Sequence, residues 1–295
     1  MTNVTANGIQ IEYDSFGDPE SPPLLLIAGL GRQLVFWDEE FCRNLAERGL
    51  YVIRFDNRDT GLSTKFEASG VPDITALYDA LTQGETVEVP YTLDDMADDA
   101  AGLLDALGIE KAHICGVSMG AAITQTIGYR HPGRALSLIP VMGTTGNPEL
   151  PPPSQEAMDW LLTPAPEERT AYIEYTMKLW RVFWGSLSFD EEDVRQKAAL
   201  EYDRCFYPQG LTRQMAAILA HGNRKPMLAS INAPTLVIHG SEDPIIPVEG
   251  GRDTAEAIDG AQIRIIEGMG HSLPRDVWPK IVDSIAWNTA QTRTG

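Results

Sequence analysis

The run Gly116-Val117-Ser118-Met119-Gly120 places a glycine two residues before and two residues after a serine. Glycine on both sides lets a backbone bend sharply and lets the flanking segments approach closely, so the serine can be lifted clear as a nucleophile. A serine hydroxyl is a weak nucleophile at neutral pH and needs a base to take its proton, most often a histidine. Five histidines are available. His113 stands just before the serine and His131 at the far end of the segment after it, so neither can reach back. His239 closes an apolar run, and His221 lies in a helical stretch. His271 sits in Glu267-Gly268-Met269-Gly270-His271-Ser272-Leu273-Pro274, where two preceding glycines permit a tight loop. It is the candidate base.

The base in turn needs a carboxylate to hold its tautomer and to stabilise the imidazolium as it forms. Asp243, in His239-Gly240-Ser241-Glu242-Asp243-Pro244, is fixed by proline on its C-terminal side. Glu242 is its nearest competitor and Asp253 a weaker one. Charge developing on an attacked carbonyl oxygen calls for two backbone N–H groups. Met119, directly after the serine, offers one, and Leu30 in Ala28-Gly29-Leu30-Gly31 is the candidate for the other. Metal chemistry has no foothold, because no Cys or His pair has ligand spacing. Cys42, Cys115 and Cys205 are odd in number and widely spaced, so they are expected to be small buried hydrophobes rather than disulfide partners.

These residues need a scaffold. Lys111 to Cys115 reads as a buried strand leading to the serine and Ala121 to Tyr129 as a helix leaving it. Further strands are predicted at Ile9 to Tyr13, Pro23 to Ile27, Tyr51 to Phe55, Ala135 to Met142, Pro234 to Ile238 and Ile263 to Ile266. Helices are predicted at Phe41 to Arg48, Leu93 to Leu107, Thr254 to Ile258 and Val277 to Thr289. Such alternation implies an α/β fold, a mostly parallel central sheet flanked by helices with right-handed crossovers. The first two strands, too closely joined for a crossover, are expected to form an antiparallel edge. From 146 to 229 there is no strand; helices are predicted around Glu156 to Leu162, Glu167 to Trp184, Glu191 to Tyr207 and Leu211 to Leu219. Residues 146–229 therefore read as an inserted helical cap on a core made of 1–145 and 230–295. Its aromatic load mostly packs the cap, while Trp180 and Trp184, with Gly29 below, are taken to line a substrate pocket.

With 43% apolar residues, the 295-residue chain can bury a large core. Its net charge of −19 argues against nucleic-acid or anionic-membrane partners and favours neutral or cationic substrates. The first residues have neither a cationic start nor an apolar stretch, and no run approaches a membrane span, so a cytoplasmic protein is expected. Assembly into a homo-oligomer is left open.

Taken together, Pro23 to Gly31, Val52 to Ser63, Gly116 to Gln125, Pro234 to Pro247 and Ile266 to Pro274 resemble α/β-hydrolase fold serine hydrolases, in which the reacting groups follow the order serine, acid, histidine. Asp56-Asn57-Arg58-Asp59-Thr60-Gly61-Leu62-Ser63, with Phe16-Gly17-Asp18-Pro19, is similar to the branch that contains aclacinomycin methylesterase. The resemblance implies a cofactor-free carboxylesterase acting on a small-molecule ester through an acyl-enzyme. A pocket walled by aromatics suggests small to medium, neutral, largely apolar esters. Lactonase, C–C hydrolase, thioesterase and cofactor-free perhydrolase chemistry run on the same fold, and a non-catalytic binding protein is the competing class. Haloalkane and epoxide hydrolases are disfavoured because they resemble one another in carrying aspartate at the position of Ser118. Two positions depart from the pattern. Many members have histidine at Ala28 and glycine at Asp59, in the loop whose Arg58 is expected to brace the serine turn.

Overall fold

A computed structural model describes residues 2–291. Along the chain run β1 (Thr2–Ala6), β2 (Ile9–Phe16), β3 (Pro23–Ile27), α1 (Glu39–Ala46), β4 (Tyr51–Phe55), α2 (Ile74–Thr82), α3 (Leu93–Ala106), β5 (Ala112–Val117), α4 (Met119–Arg130) and β6 (Ala135–Val141). Helices α5 (Gln155–Leu162), α6 (Arg169–Phe183), α7 (Glu191–Arg204), α8 (Pro208–His221) and α9 (Lys225–Leu228) follow without a strand. The chain then closes with β7 (Leu236–Gly240), α10 (Val248–Ala257), β8 (Gln262–Ile266) and α11 (Trp278–Ala290).

The strands form one eight-stranded sheet in the order β1-β2-β4-β3-β5-β6-β7-β8. The pairs from β4 to β8 are all parallel. Parallel strands need both faces covered, and β3 shows how the sequence provides for it. Leu24 and Leu26 enter the apolar cluster that contains Phe41 of α1 and Ile281 of α11, while Leu25 and Ile27 enter the one that contains Leu93 of α3 and Ile123 of α4. Helices thus lie on both sides, as the alternation predicts. Among the described residues no helix is long and apolar enough to cross a membrane.

The antiparallel edge differs from expectation. β2 pairs with β1 on one side and β4 on the other, and β3 lies inside, between β4 and β5. The reason is burial: β3 is apolar on both faces and lies in the middle of the sheet, whereas β2 alternates with Gln10, Glu12 and Asp14 and lies beside the edge strand β1. β1 was not foreseen, although Asn7-Gly8 signals it. Both residues have positive φ, 47° and 78°, as a two-residue hairpin turn between right-twisted strands requires. Nor were α2 and α9. Cys42 and Cys115 are buried as expected, and burial raises both thiol pKa values, that of Cys42 to about 12. Cys205 departs from the expectation: it caps α7 and is only partly buried.

Of the helices between β6 and β7, α5, α6 and α7 pack on one another, while α8 and α9 bring Ala217 and Leu228 into the cluster that holds Leu93 and Ile123. Ile173, Met177, Trp184, Val194 and Ala198 form one small cluster of their own, and Ala157, Leu179 and Phe183 another. Charge ties them to the sheet loops. Arg204 meets Asp56 at 2.7 Å, Arg213 meets Asp59 at 2.8 Å and Glu201 meets Arg32 at 2.7 Å.

Candidate active site

Ser118 stands between wholly buried β5 and the first turn of α4, with φ 55° and ψ −116°. That backbone is strained for a residue with a Cβ and persists only where the surroundings enforce it. The surroundings are close backbone. A Cβ on Gly116 would lie 2.1 Å from the Gly120 carbonyl, and one on Gly120 would lie 2.3 Å from the Ile27 carbonyl. Glycine at both positions is therefore a packing requirement that holds α4 against β3 and β5. The Ser118 N–H donates to Val141 O at 3.0 Å, and Ser118 O accepts the first helical bonds of α4.

His271, Asp243 and Ser118 come together as one hydrogen-bonded chain. His271 Nε2 lies 2.9 Å from Ser118 Oγ, and His271 Nδ1 lies 2.6 Å from Asp243 Oδ2. The other carboxylate oxygen accepts the Ile245 and Ile246 N–H groups at 2.9 and 2.8 Å. A carboxylate can only accept, so in the neutral ring the proton sits on Nδ1, and Nε2 is left to accept from the serine hydroxyl. Asp243 is 6% exposed and His271 8% exposed, which keeps these bonds away from competing water. Phe183 stands edge-on to the His271 ring, centroid to centroid 6.3 Å.

The remaining histidines lie elsewhere or in another role. His113 pairs with Ser137, His131 with Asp98 and His221 with Tyr129. His239 is a site residue that sequence reasoning passed over. It is wholly buried, its Nε2 donates to Ile246 O at 2.8 Å, and the same nitrogen is 3.6 Å from Asp243 Oδ2. Burial lowers its pKa and favours the neutral ring. The competing acids are engaged: Glu242 accepts from Ser186 Oγ at 2.8 Å, and Asp253 pairs with Thr145 and Lys225.

The loop after β3 presses on the serine. A Cβ on Gly29 would stand 3.3 Å from Ser118 Cβ, so Gly29 lies against Ser118. Among the described residues neither the Leu30 nor the Met119 N–H donates to a protein acceptor. With alanine at position 28, other side chains fix this loop. Asn57 Nδ2 donates to Ala28 O at 3.1 Å, and Gln214 Oε1 accepts from Gly31 N at 2.8 Å. Gln214 Nε2 also donates to Arg58 O and Thr60 Oγ1, so one α8 side chain clamps two loops. Asp59 takes a left-handed φ of 66° that glycine would adopt freely, and its carboxylate compensates by bonding Arg213 and the Phe66 N–H. Arg58 does not brace the serine turn as expected. Its guanidinium pairs with buried Asp99 of α3 and lies over the rings of Phe66 and Tyr91, each 5.0 Å away.

Trp180 and Trp184 both line a cavity of about 60 Å³, beside Phe36, Trp37 and Leu273. Gly29 is not part of its wall. The lining is also less apolar than expected, because the Arg32–Glu201 pair forms one side, with Arg32 5.0 Å above the Trp180 ring. Trp184 is nearly buried, and its indole N–H donates to Ser188 O.

Comparison with known proteins agrees with this fold. The chain is 30% identical over 308 residues to rhodomycin D methylesterase DauP of Streptomyces sp. (strain C5), covering 97% of each chain. It is 26% identical over 267 residues to 3-oxoadipate enol-lactonase 2 of Acinetobacter baylyi, covering 90% of this chain and 87% of that one. The crystal structure of the enol-lactonase from Burkholderia xenovorans LB400 superposes with a TM-score of 0.72 at 21% identity, over the full length of both chains. Residues 22–274 match the sequence model of the alpha/beta hydrolase fold. With one sheet, one serine turn and one near full-length relative in agreement, the chain belongs to the α/β-hydrolase fold family.

Proposed function

We propose that the protein is a carboxylic ester hydrolase in which Ser118, His271 and Asp243 act as a catalytic triad. The observation that carries the reading is the hydrogen-bonded chain from Ser118 Oγ through both nitrogens of His271 to Asp243, headed by a strained serine at a helix N-terminus. A binding protein has no use for that strain.

Each step follows from the geometry. Ser118 Oγ attacks the acyl carbon while its proton passes to His271 Nε2, and Asp243 stabilises the imidazolium without taking the proton. The Leu30 and Met119 N–H groups receive the negative oxygen. His271 then protonates the leaving alcohol, and an acyl-enzyme remains on Ser118. Water, deprotonated by the same nitrogen, releases the acid and restores the serine. Side chains and backbone carry every proton and charge, so the reaction asks for no cofactor.

Residues 146–229 serve as a helical cap over a core of 1–145 and 230–295, with Trp180 and Trp184 walling a cavity that borders the His271 loop at Ser272 and Leu273 but is not lined by Ser118, Asp243 or His271. The aromatic wall supports small to medium neutral esters, and the methylesterase relative points to a small leaving alcohol. A lactone is the second reading, favoured by the enol-lactonase relative, and only the tether between acid and alcohol differs. The net charge of −19 fits a cytoplasmic enzyme that repels carboxylate products.

The test is hydrolysis of p-nitrophenyl butyrate, methyl esters and lactones by wild type and Ser118→Ala. Loss of the nucleophile should lower kcat/KM by roughly 10³-fold or more. Equal rates for the two proteins would sink the reading.

A further inference from the structure

The loop that carries His271 is not held by the sheet alone. His271 N donates to Phe183 O at 2.6 Å, Gly270 N donates to Trp184 O at 3.0 Å, and Ser186 N donates back to Gly268 O at 3.0 Å. Gly185 and Met269 face each other as an antiparallel bridge. The end of the inserted helix α6 therefore runs as a short strand against the histidine loop. Two accounts close at once. The last carbonyls of a helix have no partner within it, and those of Phe183 and Trp184 find theirs in Gly270 and His271.

We propose that residues 183–186 position the catalytic base, so that the inserted helices hold His271 in register with Ser118 and Asp243 as well as covering the site. The inference rests on the Ser118–His271 chemistry above and adds a role for residues outside the triad. Contact is close enough to be specific. Gly185 has φ 83°, and a Cβ there would lie 2.4 Å from Gly268 O and 2.6 Å from Gly270 N. A Cβ on Gly270 would in turn lie 2.2 Å from Phe183 O. Both atoms crowding a Gly185 Cβ belong to backbone, so a side chain there has to push the loop away. The ties to the sheet side, Glu242 N to Met269 O at 3.0 Å, Met269 N to Ile266 O at 3.3 Å and Gly268 N to Ser241 Oγ at 2.9 Å, leave the amides of Gly270 and His271 to the end of α6 and the segment after it. Displacing them moves the ring that must meet Ser118 Oγ at 2.9 Å.

The experiment is Gly185→Ala, with Ser186→Ala beside it. Ser186→Ala removes only the hydroxyl bond to Glu242 and keeps the backbone pairing. A misplacement of about 1 Å costs on the order of a hundredfold in rate, so Gly185→Ala should lower kcat for p-nitrophenyl butyrate by about tenfold to a hundredfold at nearly unchanged KM. The proton NMR signal of His271 Nδ1–H, bonded to Asp243, should broaden or vanish in Gly185→Ala and persist in Ser186→Ala. A folded Gly185→Ala with wild-type kcat and an intact Nδ1–H signal overturns the proposal. If Gly185→Ala does not fold, hydrogen exchange on the wild-type protein decides: the Ser186, Gly270 and His271 amides should be as protected as those of β5, and exchange at open-loop rates overturns the proposal. Ser118→Ala separates the two readings. Wild-type turnover in Ser118→Ala overturns Ser118 as the attacking group, whereas an inactive Ser118→Ala with a fully active Gly185→Ala overturns only the positioning role.

Discussion

The serine turn and the histidine loop reach the same point by opposite means. Ser118 is placed by its sequence neighbours: β5 runs into it, α4 leaves it, and Gly116 and Gly120 let the two pack at contact distance. His271 is placed by stretches far apart in the chain, with Asp243 gripping its ring, Glu242 holding Met269 and the end of α6 taking the amides of Gly270 and His271. The loop after β3 is of the second kind, since Asn57 and Gln214 fix it from outside. A local device stores strain in one residue. A long-range device relies on buried partners from distant parts of the chain, which are left unsatisfied when one of them is removed.

Breaking a long-range restraint should therefore cost more stability than crowding a local one. Arg213→Met leaves Asp59 wholly buried and unpaired beneath the loop that Gln214 clamps. Removing one partner of a buried pair costs about 3–5 kcal/mol, so urea unfolding should show a loss of that size and esterase activity should fall with it. An unchanged midpoint would show that α8 does not hold this loop.

At the serine turn itself, Gly120→Ala forces a Cβ against Ile27 O at 2.3 Å and Ala28 O at 2.9 Å. Overpacking of this kind costs about 1–3 kcal/mol, and because the push lands on the β3 end and the following loop, kcat should drop more than KM rises. A variant equal to wild type in stability and kcat would remove the close-packing account of the turn.

The smallest effect belongs outside both loops. Asp98 of α3 binds Arg130 and His131 of the α4 end, and the hydrogen bond with Arg130 holds its carboxyl below the ordinary carboxylate range. A depressed native pKa gives stability that is present above the ordinary value and is lost as pH falls through the native one. Asp98→Asn should lower stability slightly near neutral pH, by less than about 1 kcal/mol for this partly exposed pair, seen as a small drop in Tm, and the gap should close in acid. A gap that is constant with pH would assign the effect to packing.

Legibility followed the same division. The turn at Ser118 and the glycine-rich loop after β3 could be read because glycine spacing after an apolar strand is a local steric signal. His271 and Asp243 could be read because each follows a strand in a loop at one sheet edge. Arg58 was misassigned since its partner Asp99 lies on another element, and the order of β2 and β3 was misplaced because adjacency in sequence was taken for adjacency in the sheet. His239 gave no signal beyond being a histidine at a strand end; its role exists only once Ile246 and Asp243 fold over it.

By itself the sequence determined the fold class and the loops that carry the candidate triad, because burial patterns and glycine sterics act over a few residues. Tertiary structure alone decided how those residues are held. Hydrogen bonds such as Phe183 O to His271 N and Gln214 to Gly31 join chain positions that share no local pattern, and a backbone carbonyl carries no side-chain signature. That reason also left the cavity wall unread, since whether Arg32 meets Glu201 above Trp180 depends on how α6 and α7 cross the loop after β3.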